Sequence, residues 1–369
     1  MAPYQYQPLD PEKQEIRVLH LHPGAHDDPI RISIEHMPFN NAGYNNGSSS
    51  VSSDDLQQWC DSMPANWRAD RTPEGRMIFI RYNEYGKVAS SSWQPPEPLQ
   101  QEDFRSSDAT SERTNFRQPY DAVSYTWGVA DGVFEIEVVD FQSSLLESTT
   151  LRISRNLHDM ILHLRDPLAS RNLWVDFLSI NQSDLTERSE QVKKMRDIYA
   201  SAERVVIWLG ASWKDSTLAL RTLEYVGKQI ELMSVLEYRH LPSPDAVEPR
   251  WWQHDYDIPL EPVAVDAILN LVQRPYFERL WIIQEIQLAG PLSIVQSGNE
   301  TVRWLHVRRA FSKYLTQLAR APQTSFATSQ KLGSTRMLSR NLSLEDASWI
   351  FQNTAMCTCL PVRRMRDKH

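Results

Sequence analysis

Residues 173–210, LWVDFLSINQSDLTERSEQVKKMRDIYASAERVVIWLG, leave this chain little choice of architecture. Leu173–Ile180 is an apolar run of strand length, interrupted by Asp176 and Ser179. Asp184 and Glu187 have the spacing of a capping box, so a helix is expected to start there. Val192, Met195, Tyr199 and Ala202 then recur at helical spacing and predict one apolar stripe. Val205–Leu209 is continuously apolar, as in a strand covered on both faces. Strand, helix and strand this close together make a βαβ unit, which favours a parallel sheet with a right-handed crossover.

The flanking sequence extends that reading to an α/β domain over 119–310. Tyr120–Gly128 predicts a first strand and Phe134–Val139 an edge strand or a hairpin arm. Ser154 is the predicted cap of a helix carrying Leu157, Met160, Ile161 and Leu164 at i, i+3, i+4 and i+7. Beyond Gly210, helices are expected over Thr217–Leu236 and Val263–Val272, inside a helical and loop insertion at 211–273. Arg274–Gly290 reads as a single helix, with Pro275 in its first turn and Gly290 at its end. Phe277, Trp281, Gln284 and Leu288 then share one face. Leu292–Val295 and Thr301–Trp304 predict a closing hairpin around Gly298-Asn299, followed by a helix over Arg308–Leu318 and an irregular tail within 311–369. At the other end, residues 1–14 are expected to be a flexible tail. Glu15–Leu21 and Ile30–Ile34 form a strand pair within 15–37, turned at Pro23-Gly24. The Ser- and Pro-rich region 38–118 is expected to be a largely disordered insertion, with a short strand at Met77–Tyr82 and a hairpin arm at Lys87–Ala89.

Composition removes several classes of function. A net charge of −8 over 369 residues lacks the basic footprint of a nucleic-acid binder. The three cysteines, Cys60, Cys357 and Cys359, make neither a disulfide framework nor a four-cysteine zinc site, and fit a reducing compartment. No apolar run approaches the roughly 20 residues that span a bilayer. The opening residues lack the basic and apolar blocks of a signal peptide, so a cytoplasmic location is expected. His20, His22, His26 and His36 have no carboxylate or cysteine at ligand spacing, so no metal site is expected. Nor does any G-x-S-x-G, H-E-x-x-H, P-loop or C-x-x-C occur.

Four groups of residues remain as candidates for chemistry. Asp176 lies in an apolar strand, where an unpaired carboxylate costs several kcal/mol, so it is paired or lies at the strand's carboxyl end. Ligands bind at that end in open α/β sheets; a purely structural role stands beside a functional one. Asn181, Gln182 and Asp184 form the loop that follows; turn and capping chemistry accounts for Asp184 and Glu187, and less well for Asn181 and Gln182. Glu285 sits among Ile282, Ile283, Ile286 and Leu288, one turn after Trp281. It is either a harmless surface residue or a carboxylate held for catalysis with a raised pKa. Ser124, Tyr125 and Trp127 end the first strand, either lining the same crevice or filling core and turn positions.

YDAVSYTWG, the 173–210 stretch and RPYFERLWIIQE together resemble the three signature blocks of the fungal heterokaryon incompatibility (HET) domain. EIRVLHLHPGAHDDPIRISI resembles the strand pair that precedes it, and SIVQSGNETVRWLHV its closing block. Ser179 stands where the family usually has Cys before Ile-Asn-Gln, and a cysteine expected near Gln296-Ser297 is replaced. The resemblance implies a role in non-self recognition and programmed cell death, acting through self-association and other incompatibility proteins. HET domains are distantly similar to TIR domains, which implies a flavodoxin-like parallel sheet flanked by helices. RLWIIQE is similar to the TIR motif in which Trp precedes a Glu that cleaves the nicotinamide–ribose bond of NAD. By that likeness Glu285 is the catalytic residue and Trp281 its neighbour. Ser124, Tyr125, Trp127, Asp176, Asn181 and Gln182 then hold NAD, which is a substrate rather than a resident cofactor. The alternative is a non-catalytic signalling module that acts by binding partners.

Overall fold

The computed structural model describes residues 1–39, 63–72, 77–86, 88–97, 118–128, 132–140, 148–234, 239–279, 282–287 and 289–320. In chain order the strands and helices begin with β1 (Ala2–Pro3), β2 (Ile16–Leu21), β3 (Arg31–Met37), β4 (Trp67–Arg71), β5 (Met77–Tyr82) and β6 (Val88–Ser92). Next come β7 (Gln118–Ser124), β8 (Val133–Val139), β9 (Ser148–Ser154), α1 (Arg155–Leu164), β10 (Arg171–Trp174), α2 (Asp176–Ser179) and α3 (Leu185–Ser201). The remainder is β11 (Ala202–Trp208), α4 (Ser216–Gln229), β12 (Ile230–Ser234), β13 (Arg239–Pro242), α5 (Pro262–Val272), a 3-10 turn (Pro275–Glu278), α6 (Ile282–Gln287), β14 (Ile294–Ser297), β15 (Glu300–Arg303) and α7 (Trp304–Arg320). The chain divides into two units: Met1–Asn45, Asn115–Thr222 and Pro262–Leu305 in the first, and Asn46–Thr114, Leu223–Glu261 and His306–His369 in the second.

The first unit is built on a ten-stranded mixed sheet in the order β1-β9-β8-β3-β2-β10-β7-β11-β14-β15. Its centre, β10-β7-β11-β14, is wholly parallel. In chain order those four strands lie second, first, third, fourth, which is how a flavodoxin-type doubly wound sheet begins. The expected α/β class and parallel core are therefore present. The N-terminal strand pair joins this sheet directly, because β2 runs antiparallel to β10 with Leu19 opposite Leu173. All four predicted α1 residues, Leu157, Met160, Ile161 and Leu164, are buried in one core with Val123, Leu173, Val206 and Trp208. Each such side chain contributes about 1.5–3 kcal/mol by leaving water.

Ser154 caps α1 as expected, accepting from the Leu157 amide at 3.4 Å, and its hydroxyl donates to the Trp127 carbonyl at 2.9 Å. Beside it, Asn156 donates to the Thr126 carbonyl at 2.5 Å and accepts from the Trp208 indole at 3.2 Å. The start of α1 thus clamps the Thr126–Trp127 loop. We expect Ser154→Ala to lower stability by about 1 kcal/mol in chemical denaturation.

Several expectations from the sequence fail. The predicted strand over Leu173–Ile180 stops at Trp174, and Asp176 opens the one-turn helix α2. Leaving the strand there gives the carboxylate amide and indole donors that a strand interior would deny it. Glu187 does not reach back to the Asp184 amide. It accepts from the Asn181 amide at 2.7 Å and binds Arg17 through both oxygens, at 2.6 and 3.0 Å. Asp184 alone caps α3, accepting from the Thr186 and Glu187 amides. The buried face of α3 is Gln191, Ile198, Tyr199, Ala200 and Ser201, whereas Val192 remains 40% exposed. The helix expected over Thr217–Leu236 ends at Gln229, where the chain becomes β12 and pairs with β13. Such a tertiary partner overrides helical propensity. The single helix expected over Arg274–Gly290 is broken into the 3-10 turn and α6, with Arg279 extended at φ −80° and ψ 129°.

In the second unit, β4, β5 and β6 form an antiparallel sheet inside the region expected to be largely disordered. Their neighbours from 40–62 and 98–117 lie outside the described residues, as does 321–369. A Cβ at Gly227 would meet the His306 carbonyl oxygen at 2.0 Å, so only glycine allows α4 and α7 to approach so closely. Among the described residues no helix is long and apolar enough to cross a membrane. No group of three or more potential metal ligands occurs among them either.

Candidate active site

The carboxyl ends of β7 and β10 lie side by side, and each delivers a polar residue to the same place. Ser124 ends β7 with its hydroxyl buried; it hydrogen-bonds the Tyr276 hydroxyl at 2.6 Å and donates to Glu285. Asp176 follows the end of β10. Its Oδ1 accepts from the Phe177 amide at 2.7 Å and its Oδ2 from the Trp127 indole at 2.9 Å. Trp127 meets the Phe177 ring edge-on at 5.7 Å and is 46% exposed. Glu285 comes from α6 and is 1% exposed. Arg279 grips it through two bonds, at 3.1 and 3.3 Å.

A cavity of about 470 Å³ connects these groups. Thr126, Trp127, Asp176, Gln182, Arg279 and Glu285 line it, with Arg188, Val192 and Met195 along one side of α3. Gln182 donates to the Asp176 carbonyl at 3.1 Å. Asn181 does not line the cavity; its side-chain oxygen accepts from the Ser183 amide and hydroxyl, as a turn residue does. Tyr125 is fully buried beside Asp176, and its hydroxyl makes no hydrogen bond of ordinary geometry. Trp281 lies outside the described residues.

Sequence reasoning missed Arg279. On the single helix it predicted, residues 279 and 285 point about 120° apart. The break at Arg279 turns the guanidinium back onto Glu285. Tyr276, Arg188, Val192 and Met195 were missed as well. The last two had been assigned to the core by their spacing.

Burial sets the electrostatics here. It raises the Glu285 carboxyl above its usual range, against the opposing pull of the Arg279 guanidinium and the Ser124 hydroxyl. Asp176 is raised for the same reason, opposed by the Trp127 indole and the Phe177 amide. For Arg279, burial disfavours the charge, but Glu285 and the nearby Tyr276 and Tyr199 leave its pKa raised. A carboxyl raised in the folded state adds stability below its unfolded pKa of about 4.3, and that contribution is lost as pH rises through the folded value. Glutamine imitates the protonated form. Melting curves of wild type and Glu285→Gln should therefore diverge in favour of the variant as pH rises from about 4 through the raised value. A constant difference across that window would remove this account.

Residues 120–285 match the family model described as heterokaryon incompatibility protein (HET). Over this segment the chain is similar to the HET family. The chain is also 33% identical over 189 residues to heterokaryon incompatibility protein 6, OR allele, of Neurospora crassa. That similarity covers 46% of this chain and 28% of the Neurospora protein. No solved structure matches the chain. The HET match ends at Glu285, so it contains every described side chain of the cavity.

Proposed function

We propose that this HET-like segment acts in heterokaryon incompatibility and hydrolyses NAD at its nicotinamide–ribose bond, with Glu285 as the catalytic carboxylate. The supporting observation is a buried glutamate at the carboxyl end of a parallel sheet, sharing a cavity with Asp176 and a half-exposed indole. In the reaction, the bond between ribose C1′ and the pyridinium nitrogen breaks. Nicotinamide leaves with the electron pair as a neutral molecule, so no strong acid is required. Positive charge builds on the ribosyl centre, where a fixed carboxylate in a water-poor site stabilises it. Water adds to C1′ and releases its proton to solvent, giving ADP-ribose. Trp127 offers a π face to the pyridinium cation.

One observation favours a non-catalytic interaction module instead: both Glu285 oxygens are already engaged by Ser124 and Arg279, as in a structural ion pair. The full chain, assayed from dilute to concentrated solution to allow for self-association, should release nicotinamide and ADP-ribose. No release at any concentration would leave the interaction module as the reading.

A further inference from the structure

Tyr199 and Ala202 of the predicted stripe are buried, whereas its first half, Val192 and Met195, lines the cavity. Arg188, Val192 and Met195 follow one another at i, i+4 and i+7, and all three border it. Two of them supply an apolar wall and the third a cation. The other charges in the lining are already matched. Glu285 holds Arg279, and Asp176 accepts from an indole and an amide. The acids beside Arg188 in sequence are engaged elsewhere: Asp184 caps the helix, and Glu187 binds Arg17 and the Asn181 amide. Among the described residues Arg188 makes no ion pair and no side-chain hydrogen bond, and it is exposed. The buried Thr126 hydroxyl, in the same lining, also has no hydrogen-bond partner among the described residues.

The cavity therefore has carboxylates at its buried end, an apolar flank and a single uncompensated guanidinium at its exposed side. We propose that Arg188 binds a phosphate group of a nucleotide whose ribose lies toward Asp176 and Glu285. Arginine's planar fork suits phosphate oxygens, and such charge-assisted bonds are stronger than neutral ones. This assignment rests on the NAD-cleaving reading for the identity of the sugar, but the phosphate contact is measurable without turnover.

Calorimetric titration of the full chain with ADP-ribose, and with nicotinamide riboside as a phosphate-free probe, tests it. Arg188→Gln should weaken ADP-ribose binding about tenfold or more and flatten its salt dependence. The same change should leave nicotinamide riboside binding within about twofold, and Arg188→Lys should recover part of the loss. Because Arg188 is exposed and unpaired, both variants should melt with the wild type. Absence of ADP-ribose binding in the wild type, an unchanged affinity in Arg188→Gln, or equal weakening of both probes would overturn the assignment. Arg188-dependent ADP-ribose binding without any nicotinamide release would instead overturn the hydrolytic reading and leave the phosphate site standing.

Discussion

Glu285→Gln is expected to lower nicotinamide release on the order of 10²–10³-fold, the loss typical of removing one charge-stabilising group from a preorganised site. The variant should still fold. Burial raises the Glu285 carboxyl above its usual range, and glutamine, its neutral isostere, fits the same space and keeps an acceptor for the Ser124 hydroxyl. Glu285→Ala is a poorer probe, because it opens a cavity and removes one of the two Ser124 hydroxyl contacts and the counter-charge of Arg279. Retention of full turnover by a well-folded Glu285→Gln protein would remove Glu285 from catalysis. Retained incompatibility toxicity in the same variant would argue for the interaction module.

Glu187→Ala should destabilise the first unit by about 3–5 kcal/mol, read as the shift in a chemical denaturation midpoint. Its partner Arg17 is 0% exposed, and its other contacts, the Ser179 carbonyl at 3.2 Å, the Gln7 carbonyl at 2.6 Å and the Tyr6 ring at 5.0 Å, carry no counter-charge. Removing Glu187 leaves a buried guanidinium without a counter-charge, which costs far more than losing a surface ion pair. The Asn181 amide loses its acceptor at the same time. Arg17→Met combined with Glu187→Ala should recover part of the loss, because the buried charge is then absent. A loss below about 1 kcal/mol for Glu187→Ala would mean that water reaches Arg17.

Much of the fold was legible in the chain wherever one local period decided the outcome. The α1 stripe reads directly as the buried face of a helix. Val205–Trp208 reads as a strand covered on both sides, and all four residues are buried. The Gly298-Asn299 turn reads as the tip of the β14–β15 hairpin. Asp176 and Glu285 were conspicuous because a carboxylate in an apolar run demands an explanation. Their partners were not conspicuous. Trp127 stands 49 residues before Asp176, and Ser124 161 before Glu285, and no periodicity links such positions.

The α/β class, the α1 core stripe and the suspicion attached to Glu285 follow from local pattern, since burial of a helix or strand face is written at short, regular intervals. The role of Glu187, the break at Arg279 and the exposure of the Arg188–Val192–Met195 face depend on the assembled sheet. A buried charge takes whichever partner the fold brings within about 3 Å, and that choice overrides capping rules and helical spacing alike.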